Sequence, residues 1–120
     1  ALEIDTLIKN AREISGFKVV SKKVDLPQGV ELKSMGDSLR DKLKSGVGVL
    51  ASSNNGNISF VCVVTDDLIQ SKNLHAGNIV KEIAKITGGS GGGRPHLATA
   101  GGKEISKLDE ALNKLFELVK

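Results

Sequence analysis

Gly46-Val47-Gly48-Val49-Leu50-Ala51-Ser52-Ser53-Asn54-Asn55-Gly56-Asn57-Ile58-Ser59-Phe60-Val61-Cys62-Val63-Val64-Thr65 reads as two β-strands folded back on each other. Residues 47–52 and 58–65 are the strands, and Asn54-Asn55-Gly56-Asn57 between them carries an Asn-Gly turn signal. That dipeptide tolerates the positive φ angles that match strand twist, so the strands are expected to pair antiparallel. Residues 60–64 are apolar at every position, which places the second strand centrally, covered on both faces.

Upstream, Leu32, Met35, Leu39 and Leu43 recur at helical spacing, and Gly46 closes that helix. Gly36 falls on the same face, where a missing side chain lets another element pack closely. Residues 17–21 alternate loosely as a further strand, and Pro27-Gln28-Gly29 marks a turn. Strand, helix and strand in this order predict two parallel strands joined by a right-handed crossover. Earlier still, Leu2, Ile4, Leu7, Ile8, Ala11 and Ile14 follow a helical repeat that Gly16 stops. With Ala1 in place of an initiator Met, this opening reads as a piece of a larger protein. Residues 1–15 are then the end of a preceding helical segment, and residues 16–120 one globular domain.

Downstream, Asp66-Asp67 reads as a strand-end turn with Thr65, although such a pair also binds hard cations weakly. Asn73 is the expected cap of a third helix, with Ala76, Val80, Ile83, Ala84 and Thr87 inward and Gly88 as its terminator. Ser106-Lys107-Leu108-Asp109 resembles a capping box, opening a last helix with Leu108, Leu112, Leu115, Phe116 and Val119 as its stripe. The expected fold is α/β: a small mixed β-sheet with helices packed on its faces and a glycine-rich loop before the last helix.

That loop is Gly88-Gly89-Ser90-Gly91-Gly92-Gly93-Arg94-Pro95, followed by His96-Leu97-Ala98-Thr99-Ala100-Gly101-Gly102. Seven of the chain's 14 glycines fall here. Glycine loses more backbone freedom on folding than any other residue, so such density calls for a reason. Close approach of bare backbone to an anion is one reason, with Arg94 as charged partner; a flexible linker is the plainer one. Charge favours the first. The chain has 17 Lys and Arg against 14 Asp and Glu, a net charge of +3, too modest by itself to announce a nucleic acid. Residues 1–70 are balanced, whereas Lys72, Lys81, Lys85, Arg94 and Lys103 stand against Glu82 alone around the loop. A phosphate partner predicts that clustering.

Other chemistry is sparse. Lys103 is followed by Glu104, which breaks a P-loop, and Gly46-Val47-Gly48-Val49-Leu50-Ala51 matches a dinucleotide fingerprint only by letter, lying inside a strand. His75 and His96 have no partners at metal or acid–base spacing, and no nucleophile stands beside a base. Cys62, the single cysteine, reads as a buried hydrophobe. No catalytic or metal-binding residue is therefore expected. With no Trp, no Tyr and two of three Phe on core faces, base stacking on a sheet is disfavoured against backbone and shape recognition of a folded RNA. No apolar run reaches membrane-spanning length and no signal-peptide pattern opens the chain, so no membrane partner and a cytoplasmic setting are expected.

The spacing Ala76-Gly77, Ala84, Gly88-Gly89-x-Gly91-Gly92-Gly93-Arg94-Pro95-x-x-Ala98-x-Ala100-Gly101-Gly102 resembles the C-terminal domain of alanyl-tRNA synthetases, the DHH-associated domain. Leu32-x-x-Met35-x-Asp37-x-Leu39-Arg40-x-Lys42-Leu43-x-x-Gly46 extends the resemblance, which covers residues 16–120. It implies a domain that holds the tRNA elbow, in particular that of tRNA(Ala), so that the parent's aminoacylation and editing centres cooperate. It implies no cofactor for this domain, with ATP and zinc used by the catalytic and editing domains of the parent. Lys72, Lys81, Lys85, Gly91, Gly92, Gly93, Arg94, His96 and Lys103 are the expected RNA-binding residues. The same resemblance leaves three alternatives open: the substrate-binding half of a DHH-type nuclease or phosphodiesterase, DNA binding, and a dimerisation module. Arg94-Pro95 after the glycines favours the synthetase branch, since the phosphodiesterases more often place His there.

Overall fold

A computed structural model of the chain describes residues 4–9, 11–14, 16–24, 31–54 and 56–119. β3 (Gly46–Asn54) and β4 (Asn57–Val64) form the expected antiparallel hairpin, closed by the pair Asn54↔Asn57 with Gly56 at φ +83°. β4 sits inside the sheet as its composition requires. Phe60, Cys62 and Val64 pack on one face and Val61 and Val63 on the other, all 0–1% exposed. β2 (Phe17–Lys23) runs parallel to β3, Val19 opposite Val47, and α2 (Leu32–Leu43) connects them across one face. Leu32, Met35, Leu39 and Leu43 bury there. Gly36 is the predicted close approach: a Cβ on it would stand 2.7 Å from Val61 Cγ2. The Pro27-Gln28-Gly29 turn lies outside the described residues.

The full sheet has six strands in the order β1-β2-β3-β4-β6-β5. α1 (Ile4–Lys9) and α2 cover one face, while α4 (Ala76–Ile86) and α5 (Leu108–Leu118) cover the other. The two apolar clusters are therefore separated by the sheet itself, and β2, β3, β4 and β6 feed both by their two-residue alternation.

Several local expectations are corrected. The opening helix ends at Lys9, not Ile14; Arg12–Ile14 is a strand, β1, antiparallel to β2 with Ile14 opposite Phe17 and Gly16 at φ +88° in the turn. A residue pair such as Ala11 and Ile14 suits a helical repeat, but an open sheet edge offered backbone partners that outweighed it. Asp66-Asp67 is no simple turn: it opens α3 (Asp66–Lys72), where acidic side chains favour the positive end of the helix dipole. Asn73 caps the C-terminus of α3 in the left-handed conformation (φ 55°) rather than starting α4. His75 takes that start, its Nδ1 accepting the Asn78 N–H at 3.3 Å. Ser106 forms no capping box either, because a single 3-10 turn, Ile105–Lys107, precedes α5 and Lys107 occupies the cap position.

The largest correction concerns the glycine loop. Ser90–Gly93 is a strand, β5, paired antiparallel with β6 (Leu97–Gly102), itself antiparallel to β4. The segment therefore extends the sheet to its far edge.

Candidate nucleic-acid interface

Helix α4 turns directly into the edge strand. Gly88 takes φ +73°, its N–H donates to the Lys85 carbonyl at 3.1 Å, and the Gly89 N–H donates to the Ala84 carbonyl at 2.9 Å. This paired closure is a Schellman motif, and glycine adopts its left-handed residue without steric cost. Buried Thr87 anchors the other side, its carbonyl accepting the N–H groups of Lys103 and Glu104, both at 2.9 Å. At the opposite end the Pro95 carbonyl accepts the Ala76 N–H at 2.9 Å and the His96 carbonyl accepts the Val64 N–H at 3.0 Å. The tip of the β5–β6 hairpin is thus tied to the first turn of α4 and to the end of β4, which leaves the Arg94 side chain exposed on a fixed backbone.

Most glycines of the edge strand serve packing. A Cβ on Gly89 would overlap the Gly101 carbonyl, one on Gly91 would overlap the Ala100 side chain, and one on Gly93 would stand 2.8 Å from Ala98 Cα. Gly92 differs, since a Cβ there meets nothing within 4 Å. The strand is exposed along its whole length, and an edge strand turns half of its peptide groups away from its single neighbour.

Two open hollows flank this bare edge. One, of about 460 Å³, is lined by Gly92, Gly93, Arg94 and His96 from the hairpin together with Lys33 and Asp37 from α2. The other, of about 500 Å³, lies at the opposite end, with Gly88, Gly89, Ser90 and Lys103 in its wall. The structure therefore brings Gly92, Gly93, Arg94 and His96 together, places Gly91 between the hollows and sets Lys103 in the second. Lys72 and Lys81 are exposed on α3 and α4 but line neither hollow. Lys85 pairs with Glu82 at 3.4 Å and borders a separate cavity of about 790 Å³ that also holds Glu110, Lys114 and Glu117.

Lys33 and Asp37 were not singled out as site residues by sequence reading. They stand one turn apart on the polar side of α2, and only the packing of that helix beside β6 brings them to the hairpin. Among the described residues, the side chains of Lys33, Asp37 and Arg94 have no hydrogen-bond or ion-pair partner, so all three charges are available in one hollow.

Burial pushes the Cys62 thiol far above its ordinary range, which leaves it an inert core side chain. Among the described residues no group of three or more His, Cys, Asp or Glu could hold a metal ion, and no helix is long and apolar enough to cross a membrane.

Known proteins resemble this architecture. Residues 16–120 match the DHHA1 domain family. An alanine–tRNA ligase of Natranaerobius thermophilus is 48% identical over 118 residues, spanning 98% of this chain and 13% of the relative. That of Oceanobacillus iheyensis is 46% identical over the same shares. The chain thus spans about an eighth (13%) of the length of the curated relatives it matches. Among solved structures, the C-Ala domain of Aquifex aeolicus alanyl-tRNA synthetase aligns with a TM-score of 0.80 at 30% identity, over 92% of this chain and 97% of that one. A DHH-domain member of the s1p family of ribosomal proteins shares the fold alone, at a TM-score of 0.61 and 15% identity over 98% of this chain and 29% of that one.

Proposed function

This chain belongs to the DHHA1 domain family, in the C-Ala form carried at the C-terminus of alanyl-tRNA synthetases, and from that premise we propose that it is a tRNA-binding module. It holds the elbow of a folded tRNA, in particular tRNA(Ala), so that the aminoacylation and editing centres of a cytoplasmic parent ligase act on one tRNA. The chain supplies binding alone; ATP-dependent ligation and zinc-dependent editing belong to other domains of that parent.

The observation that carries this reading is the bare, exposed edge Ser90–Gly93, flanked by Arg94, Lys33 and His96 at one end and by Lys103 at the other. Phosphates meet such a surface through backbone N–H groups and cations, which fix position without reading base sequence. The absence of Trp and Tyr from the chain and the burial of Phe17 and Phe60 fit recognition of the sugar–phosphate backbone better than base stacking.

Titration of the chain with whole tRNA, an acceptor-stem minihelix and single-stranded DNA at several salt concentrations tests the reading. Whole tRNA is expected to bind tightest, with affinity falling steeply as salt rises. A minihelix that competes equally with tRNA overturns the elbow assignment. Salt-insensitive self-association with no RNA binding would make the domain an assembly module instead.

A further inference from the structure

We propose that Asp37 makes the hollow beside Arg94 selective for a ribose over a deoxyribose backbone, by accepting a hydrogen bond from a 2′-hydroxyl. The inference rests on the tRNA-binding reading and names a specificity residue within it. A hollow built only to hold phosphate would carry cations and N–H donors. This one places a carboxylate one helical turn from Lys33, in the same wall as Arg94, and pairs it with neither. Such a charge repels phosphate and lowers affinity unless the ligand offers it a donor.

The donor follows by elimination. An ionised carboxylate only accepts hydrogen bonds. Bases carry donors too, but an unstacked base would have to lie on Arg94 or His96, the planar side chains of the hollow, and so displace the phosphate that Arg94 takes. What remains is the sugar–phosphate chain, whose internal units carry no hydrogen-bond donor in DNA and one, the 2′-hydroxyl, in RNA. Lys33 and Arg94 then take phosphates on either side of the sugar, with Arg94 able to bind bidentately. The division of labour assigns affinity to the two cations and discrimination to Asp37.

The test titrates the full chain and its Asp37→Ala, Asp37→Asn and Lys33→Ala variants with a tRNA and with an all-deoxy strand of the same sequence. Melting temperatures control for folding; Asp37 is exposed on α2 and partnerless among the described residues, so they should match. Wild type is expected to prefer the RNA. Asp37→Ala should shrink that preference by about tenfold, the worth of one hydrogen bond to a charged group, while binding the deoxy strand as well as or better than wild type. Asp37→Asn, which keeps an acceptor oxygen, should retain most of the preference. Lys33→Ala should weaken both ligands alike. Equal wild-type affinity for both strands overturns the inference and leaves tRNA binding standing, as does an Asp37→Ala effect of the same factor on each. Binding of neither strand overturns this inference and the tRNA reading together.

Discussion

Gly77 in the first turn of α4 lies against the backbone of Gly93 at the end of the edge strand: a Cβ on Gly77 would stand 2.8 Å from the Gly93 carbonyl oxygen and 3.0 Å from its nitrogen. Helix and hairpin meet there backbone to backbone beside the His75 ring, whose Cε1 would stand 2.9 Å from the same Cβ, which is how the edge strand is held beside α4 despite having almost no side chains of its own. Gly77→Ala is expected to destabilise the fold by about 1–3 kcal/mol, the usual cost of overpacking, because the Gly93 backbone, and not only the His75 ring, must yield. Gly92→Ala should leave thermal unfolding nearly unchanged, since its Cβ meets open space and its φ lies outside the left-handed region. If Gly92 is bare so that phosphate can approach, the same variant should lose tRNA affinity. Thermal melts of the two variants beside tRNA titrations separate these roles; equal destabilisation by both would contradict the packing account.

The contact of Gly36 with Val61 makes a second stability prediction, in the opposite layer. Gly36→Ala pushes a methyl to 2.7 Å from Val61 Cγ2, in the middle of the α2 face. Helix propensity favours alanine by about 1 kcal/mol, but overpacking of a buried β-branched side chain costs about 1–3 kcal/mol, so a net loss is expected. Pairing it with Val61→Ala should recover part of that loss. A double-mutant cycle in denaturant measures the coupling, and strict additivity would show that the two residues do not compete for the same space.

Charge removal should act locally. Arg94→Ala and Lys103→Ala are each expected to weaken tRNA binding and to flatten the dependence of log affinity on log salt by about one unit per lost phosphate contact. Lys85→Ala should do less, because Lys85 already pairs with Glu82 and borders a cavity shared with Glu110 and Glu117. Lys9 and Lys114 serve as controls distant in sequence from the hairpin. Losses of equal size at all five positions would mean that total charge, not this edge, drives binding.

Acid should loosen the corner where β3, β4 and α3 meet. Asp67 accepts hydrogen bonds from the hydroxyls of Ser45 at 2.6 Å and Thr65 at 2.5 Å, which hold its carboxyl below the usual range. Buried Thr65 in turn accepts the Gly46 N–H at 3.0 Å, so the carboxylate braces the first residue of β3. A carboxylate with a lowered folded pKa contributes stability that is complete above its unfolded value of about 3.9 and is lost as pH falls through the folded value. Asp67→Ala is therefore expected to melt lower at neutral pH and to show a shallower further loss between pH 4 and 2. Parallel melting curves across that range would remove Asp67 from the acid response.

Local chemistry carried much of the fold. The β3–β4 hairpin, α2, α4 and the parallel pairing of β2 with β3 were legible because apolar periodicity and Asn-Gly turn chemistry act between neighbours in sequence, whichever layer they finally occupy. Burial of Phe60, Cys62 and Val64 on one face and Val61 and Val63 on the other follows from the same two-residue repeat. β5 was not legible, because a run of glycines has no side-chain alternation to read; it became a strand only because β6 offered it backbone partners, lying so close that no Cβ fits at Gly89, Gly91 or Gly93. Arg12–Ile14 changed from helix to strand for a like reason, an available edge on β2. In the candidate site, Arg94, His96 and the glycines were readable from composition and spacing, whereas Lys33 and Asp37 were not. A helix's own sequence shows which side chains face outward, but which of them meets a hairpin some 60 residues away (Asp37 to Leu97) depends on where the sheet places both, and that is settled only when the long-range contacts form.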